Sequence, residues 1–181
     1  MTEKESKTAG KYLSLLLRHQ PGLIGLELDE QGWADINELL EKWNCPVAID
    51  RTELEELVAT NAKQRFIIDE TGKRIRANQG HSIQIDPGLE PQTPPEILFH
   101  GTGLRSVELI QIEGLKKMNR LHVHLSKDVE TASLVGQRKG KPIVLTIHSK
   151  QMHADGFRFF QAANEVWLSD DVPVKYISFP S

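Results

Sequence analysis

Cysteine is nearly absent from this 181-residue chain, aromatic residues make up only 6% of it, and no cationic tract stands out. Each scarcity excludes something. The single cysteine, Cys45, forms no internal disulfide and, with no CxxC pair, seeds no zinc knuckle, so a small core thiol is expected. No stretch approaches the ~20 apolar residues of a membrane span, and the start, MTEKESKTAGK, lacks the apolar core of a signal peptide. A cytoplasmic protein with no membrane partner is therefore expected. Residues 1–85 hold 11 Lys+Arg against 14 Asp+Glu, and residues 86–181 hold 11 of each. Neither half is a polycation, which disfavours salt-driven coating of a nucleic-acid backbone and leaves recognition to a few well-placed arginines. The remaining composition, 39% hydrophobic with 13 glycines and 9 prolines, is that of a globular protein and excludes intrinsic disorder.

The sharpest break in the sequence is Asp86 to Pro95, where four prolines in nine positions forbid a helix interior or a central strand. It predicts a linker over 86–95 between domains at 1–85 and 96–181. In the first, Ala9, Tyr12, Leu13, Leu16 and Leu17 recur at helical spacing, stopped by Pro21-Gly22. Leu26-Glu27-Leu28 alternates like a short strand. Asp35 with Glu38 and Asp50 with Glu53 are capping-box patterns, each ahead of an apolar helical run, and they start helices near Ile36 and Arg51. Arg65–Ile68 and Arg74–Ala77 flank a turn at Asp69–Gly72 and predict a β-hairpin. Helix, short strand, helix, helix, hairpin is the order of a winged helix. In the second half, strands are expected at Ile97–His100, Leu121–Leu125, Pro142–Ile147, Asn164–Leu168 and Val174–Phe179, with helices at Val107–Glu113 and from Asp128 to about Gln137. The fold class is α+β.

Several segments carry groups capable of chemistry, and each has a plain structural reading beside it. Arg18-His19 closes an apolar helix, where a cation complements the macrodipole by ~0.3–1 kcal/mol. Lys63–Phe66 and Arg74–Arg76 read as solvated wing residues, and Gln79–Ser82 as a polar turn. Phe99-His100-Gly101-Thr102-Gly103 reads as a strand end followed by a small loop whose backbone N–H groups approach a phosphate or ribose, although it matches neither a Walker loop nor GxGxxG. His122 and His124 share a strand face, but no third ligand stands at a familiar spacing, so no metal is expected. Val135–Lys141 is a basic, glycine-containing helix exit.

Taken together, LLLRH at 15–19, GWADI at 32–36, KQRF at 63–66, IRANQGHS at 75–82, LFHGT at 98–102, HVHLS at 122–126, VGQRKGKP at 135–142 and NEVWL at 164–168 resemble, in order, the RNA 2′-phosphotransferases. The resemblance implies an N-terminal winged-helix RNA lobe and a C-terminal ADP-ribosyltransferase-like lobe that binds NAD. It implies NAD-dependent removal of an internal RNA 2′-phosphate through an RNA-2′-phospho-ADP-ribose intermediate. The products are 2′-OH RNA, nicotinamide and ADP-ribose 1″,2″-cyclic phosphate, and the setting is transfer-RNA splicing, processing or RNA repair. NAD is consumed, no metal is needed, and a monomer is expected. Carried over by motif, the catalytic residues are Arg18, His19, Arg65 and Arg138. The NAD pocket includes His100, Gly101, Thr102, His124, Leu125 and Ser126, and Gly80, His81 and Ser82 lie near the substrate.

A phosphate monoester is largely dianionic at neutral pH, so the nucleophile needs aim rather than a base, and arginine forks supply it. His19 is the candidate donor to the departing RNA oxygen. Protein-modifying ADP-ribosyltransferases often carry a glutamate at the position aligned here with Val166, which puts Glu165 on the opposite strand face. A register shift of one residue restores Glu165 and reopens a protein- or base-modifying reading. Two rivals remain: a transferase that caps terminal phosphates of nucleic acid with ADP-ribose, and a winged-helix regulator that senses NAD. The second is disfavoured by Thr52–Asn61, which lacks lysine and arginine.

Overall fold

The computed structural model describes residues 1–86 and 88–180; Pro87, within the expected linker, and Ser181 lie outside the described residues. The chain divides into two compact units, Met1–Gly88 and Leu89–Ser181. Each has its own apolar core. The proline-rich stretch is tied to structure at both ends. Asp86 N–H donates to the Glu30 carbonyl at 2.7 Å, and Gln92 N–H donates to that of Phe159 at 2.8 Å.

In the first unit, α1 (Glu3–Arg18) opens with a reciprocal capping box between Thr2 and Glu5 and buries Ala9, Leu13, Leu16 and Leu17 along one stripe. Then come β1 (Ala34–Asp35), α2 (Ile36–Glu41), α3 (Arg51–Ala59), β2 (Phe66–Ile68) and β3 (Arg74–Ala77). The three strands form an antiparallel sheet in the order β1-β3-β2, with Ala34 opposite Ile75 and Ile67 opposite Arg76. Buried Phe66, Ile75 and Ala77 mark the core face, so Ile67, Arg74 and Arg76 occupy the other.

Three expectations change here. Leu26–Leu28 is not a strand. Pro21–Ile24 forms a 3-10 turn, and Asp29 then folds the chain back by accepting from the N–H groups of Gln31 and Trp33, each at 2.9 Å, which moves the strand to Ala34–Asp35. The box at Asp35 is half formed: Asp35 caps Glu38 N–H, but the Glu38 carboxylate is drawn to Lys42 at 2.6 Å. Cys45 is half-exposed in a shallow groove with Tyr12, Lys11 and Leu15, not in the core.

The second unit contains β4 (Leu98–Gly103), α4 (Val107–Glu113), β5 (Val123–Leu125), α5 (Val129–Gly136), β6 (Pro142–Ile147), α6 (Ser149–Ala154), β7 (Phe159–Gln161), β8 (Trp167–Ser169) and β9 (Ile177–Ser178). They build two antiparallel sheets, β4-β6-β9 and β5-β8-β7. A Phe99–Ser126 bridge, with both N–H···O contacts at 2.8 Å, stitches one to the other. α6 and β7 were not anticipated: α6 is short, and His148 before it supplies no side-chain cap. The strand expected over 174–179 is reduced to β9, because its first half is a 3-10 turn, Val174–Tyr176, started by Pro173 and held where the Tyr176 hydroxyl donates to Asp155 at 2.5 Å.

Candidate active site

In the first unit, residues from three places in the sequence meet at the C-terminal end of α1. Arg18 lies in the last turn and donates through Nη2 to the Arg65 carbonyl at 3.4 Å, with its Cζ 5.8 Å from the centroid of Phe66. His19 is the C-cap. Ser82 clips this helix end twice: its N–H donates to the Arg18 carbonyl at 2.9 Å, and its Oγ lies 2.8 Å from His19 Nδ1. Gly80 adopts φ +88°, a conformation that suits a residue without Cβ, and it turns the chain toward this contact.

Arg65 is bracketed by two asparagines. Its N–H donates to Asn61 Oδ1 at 3.4 Å, its carbonyl accepts from Asn78 N–H at 2.9 Å, and Asn78 Nδ2 holds the Gln64 carbonyl at 2.5 Å. Gln64 itself sits at φ +41°. His81 is 2% exposed, and no hydrogen-bond partner of its Nε2 is found among the described residues. Burial first, then the charges of Arg18, Arg76 and His19, push its pKa down to about 4, so it stays neutral among cations. The structure thus gathers Arg18, His19, Arg65, His81 and Ser82.

In the second unit, His100 Nδ1 lies 2.9 Å from the His124 carbonyl. A carbonyl only accepts, so Nδ1 carries the proton and Nε2 is the acceptor. Burial lowers the His100 pKa against the pull of that carbonyl, with Lys139 and Arg120 adding to the lowering. His124 is fixed in turn by Arg120, whose Nη1 donates to His124 Nδ1 at 2.9 Å, which puts the ring proton on Nε2. Ser126 joins them through its bridge to Phe99.

Other motif residues serve the scaffold. Gly101 and Gly103 belong to β4 rather than to a loop, opposite Val144 and Pro142. A Cβ at Gly101 would lie 1.6 Å from the Ala132 carbonyl oxygen, and one at Gly103 would lie 2.4 Å from that of Lys139. These glycines let α5 and the turn after it press onto the strand. Thr102 is 1% exposed, and Leu125 is buried in the apolar core. Arg138 is exposed in the 3-10 turn Gln137–Lys139 that follows α5. His122 precedes β5 and packs at a tilt against Phe160, centroids 5.4 Å apart. Among the described residues, no three His, Cys, Asp or Glu side chains come together as a metal cluster. Asn164–Val166 lies in the turn before β8, with Glu165 at φ +64° and its carboxylate 3.7 Å from Lys127 Nζ. Strand alternation therefore does not relate Glu165 to Val166.

Sequence reasoning missed Arg76 and Arg120. The signal for Arg76 was its spacing: in β3 it falls on the same face as Arg74 and opposite Ile67.

The first unit thus offers a cluster of arginines and a histidine suited to an anion, and the second an ordered pair of histidines suited to hydrogen bonding. The comparisons are specific. Residues 4–171 match the family described as RNA 2′-phosphotransferase, Tpt1 / KptA family. The probable RNA 2′-phosphotransferase of Flavobacterium johnsoniae is 52% identical over the whole of both chains. The proteins of that name from Agrobacterium fabrum and Streptomyces coelicolor are 51% and 48% identical, over 96% and 100% of this chain and 94% and 99% of theirs. The chain belongs to the RNA 2′-phosphotransferase family. No helix among the described residues is long and apolar enough to cross a membrane.

Proposed function

We propose that the protein removes an internal 2′-phosphate from RNA by transferring it to the ADP-ribose moiety of NAD. The first unit is read as a winged-helix RNA lobe and the second as an ADP-ribosyltransferase-like NAD lobe. The observation that carries the reading is the double clip of Ser82 on Arg18 and His19 beside the bracketed Arg65, which fixes a cationic group suited to a phosphate dianion.

In the first step a 2′-phosphate oxygen bonds to the ribose carbon bearing nicotinamide as the C–N bond breaks, giving the RNA-2′-phospho-ADP-ribose adduct. In the second the neighbouring 2″-hydroxyl attacks phosphorus and the bond to the RNA 2′-oxygen breaks, giving 2′-OH RNA and ADP-ribose 1″,2″-cyclic phosphate. Arg18, Arg65 and Arg138 hold the phosphate oxygens through both steps, and His19 protonates the departing oxygen. The acceptor Nε2 of neutral His100 suits a ribose hydroxyl or an amide N–H, and the Nε2–H of His124 supplies a donor; Ser126 belongs to the same pocket. Gly101, Thr102 and Leu125 shape that pocket from behind, and Gly80 and His81 support the phosphate site. No metal takes part, and the protein acts as a monomer in the cytoplasm, in RNA processing or repair.

The test is incubation with a short RNA carrying an internal 2′-phosphate, with and without NAD and EDTA, resolving all products. Phosphate should leave on ADP-ribose, only with NAD, and regardless of EDTA. Free inorganic phosphate as the first product would overturn the reading, and accumulation of the adduct as a final product would favour a capping transferase.

A further inference from the structure

Arg74 and Arg76 read from the sequence as solvated wing residues, yet the structure treats them differently. Both lie against Trp33, with Cζ 5.3 and 4.6 Å from the ring centroid. Arg74 is answered within the fold by Asp69 at 3.1 Å and Asp29 at 3.5 Å. Asp29 also accepts from the N–H groups of Gln31 and Trp33. Arg76 is half-buried, and burial disfavours its charged form against the weak support of Asp29. It stands with Arg18 among the charges that act on buried His81, so it belongs to the cationic group at the end of α1. The ladder fixes its relation to Arg65 as well. Arg76 is opposite Ile67, and Asn78 N–H bonds the Arg65 carbonyl, which makes Arg65 and Arg76 diagonal neighbours, roughly 7–8 Å apart on one sheet face.

The chemistry of the substrate supplies the complement. In an RNA with an internal 2′-phosphate, the adjacent ribose carbon carries the 3′-phosphodiester, so a second anion always stands beside the first. A 2′-phosphate at a 3′-OH terminus lacks it. We propose that Arg76, held over Trp33, binds the 3′-phosphodiester next to the 2′-phosphate and so selects internal over terminal 2′-phosphates. The contact suits this task, because a guanidinium seated over an indole is already ordered and loses less freedom when its N–H groups meet an anion. This inference rests on the family's RNA 2′-phosphate substrate and not on NAD chemistry.

The test uses two short RNAs of one sequence with the same 2′-phosphate, one with a normal 3′-phosphodiester and one with a neutral methylphosphonate there. Binding to the full chain is measured by fluorescence anisotropy without NAD, and turnover is measured separately. The wild type should prefer the charged linkage, and Arg76→Ala should lose ~10–100-fold in affinity for it with little change for the neutral one, which abolishes the preference. Arg76→Lys should keep part of the preference, and Trp33→Phe should weaken it while the circular dichroism spectrum stays unchanged. Equal losses on both RNAs in Arg76→Ala and Arg76→Lys would make Arg76 structural and overturn the proposal. No difference between the RNAs in the wild type would do the same. Failed turnover with the binding pattern intact would count against the NAD-dependent reaction instead.

Discussion

The two units solve opposite electrostatic problems. The first concentrates Arg18, His19 and Arg76 around a histidine that burial keeps neutral. The second places neutral rings, His100 and His124, in fixed tautomers by hydrogen bonds to a carbonyl and a guanidinium. A cationic cluster favours an anion of high charge, while paired neutral donors and acceptors favour hydroxyls and amides. The means of support differ as well. Side chains and caps from distant segments hold the first site, whereas the second hangs on strands and on a helix brought close by glycine.

The largest effect that would break this contrast is at Gly101. Gly101→Ala sets a Cβ against the Ala132 carbonyl, and α5 must move; a loss of about 3 kcal/mol or more is expected, read by urea unfolding. A near-neutral result would mean that close packing of α5 does not hold the second site. Next come the arginines proposed to hold the phosphate. Arg65→Ala and Arg138→Ala should each slow the second chemical step by ~10²–10³ and build up the RNA-2′-phospho-ADP-ribose adduct in single-turnover experiments. His100→Ala should instead slow nicotinamide release. Severe slowing by the arginine variants with no adduct would show that these arginines and His100 do not divide the steps in this way.

The buried histidine gives a pH signature. His81 has an ordinary pKa of 6.5 when unfolded and about 4 when folded, so the unfolded chain takes up the proton first. Its contribution is complete above about pH 6.5 and is lost as the pH falls toward 4, by roughly 3 kcal/mol in all. His81→Asn, compared with wild type in urea titrations from pH 7 to 4, should flatten that part of the acid limb. Parallel limbs would mean that the ring already titrates normally. The smallest effects concern caps. Asp50→Ala removes a reciprocal box on α3 and Asp128→Ala a single cap on α5, each worth about 1 kcal/mol. Each should shift the unfolding transition of its own unit, seen through Trp43 or Trp167 fluorescence in variants keeping one tryptophan.

Elements with local signatures were legible in the sequence. The box at Asp50, the hairpin around Asp69–Gly72, the glycine stop of α4 and the β-branched run of β6 fall where the pattern puts them. Elements defined by distant partners were not. Leu26–Leu28 alternates like a strand, but Asp29 bends the chain before it finds a partner, and Val174–Tyr176 coils because Pro173 and Asp155 fix it from outside. In the site, motif positions marked the clusters but not the work of each residue. Gly101 looked like a ligand-contacting loop and is a spacer in a strand, while Arg76 looked solvated and lies half-buried over an indole. Sequence period assigns a face, and only the assembled sheet says what covers it.

The clip made by Ser82 also sets an order of events during synthesis. The helix carrying Arg18 and His19 leaves the ribosome early, but its end is finished by a residue 63 positions after His19. A chain interrupted anywhere before the hairpin exit has the arginine and the histidine without the group that orients them. Translation therefore delivers a helix first and its ordered C-terminal end only after Ser82 has emerged, so truncated nascent chains carry the motif LLLRH without the clip that orders Arg18 and His19.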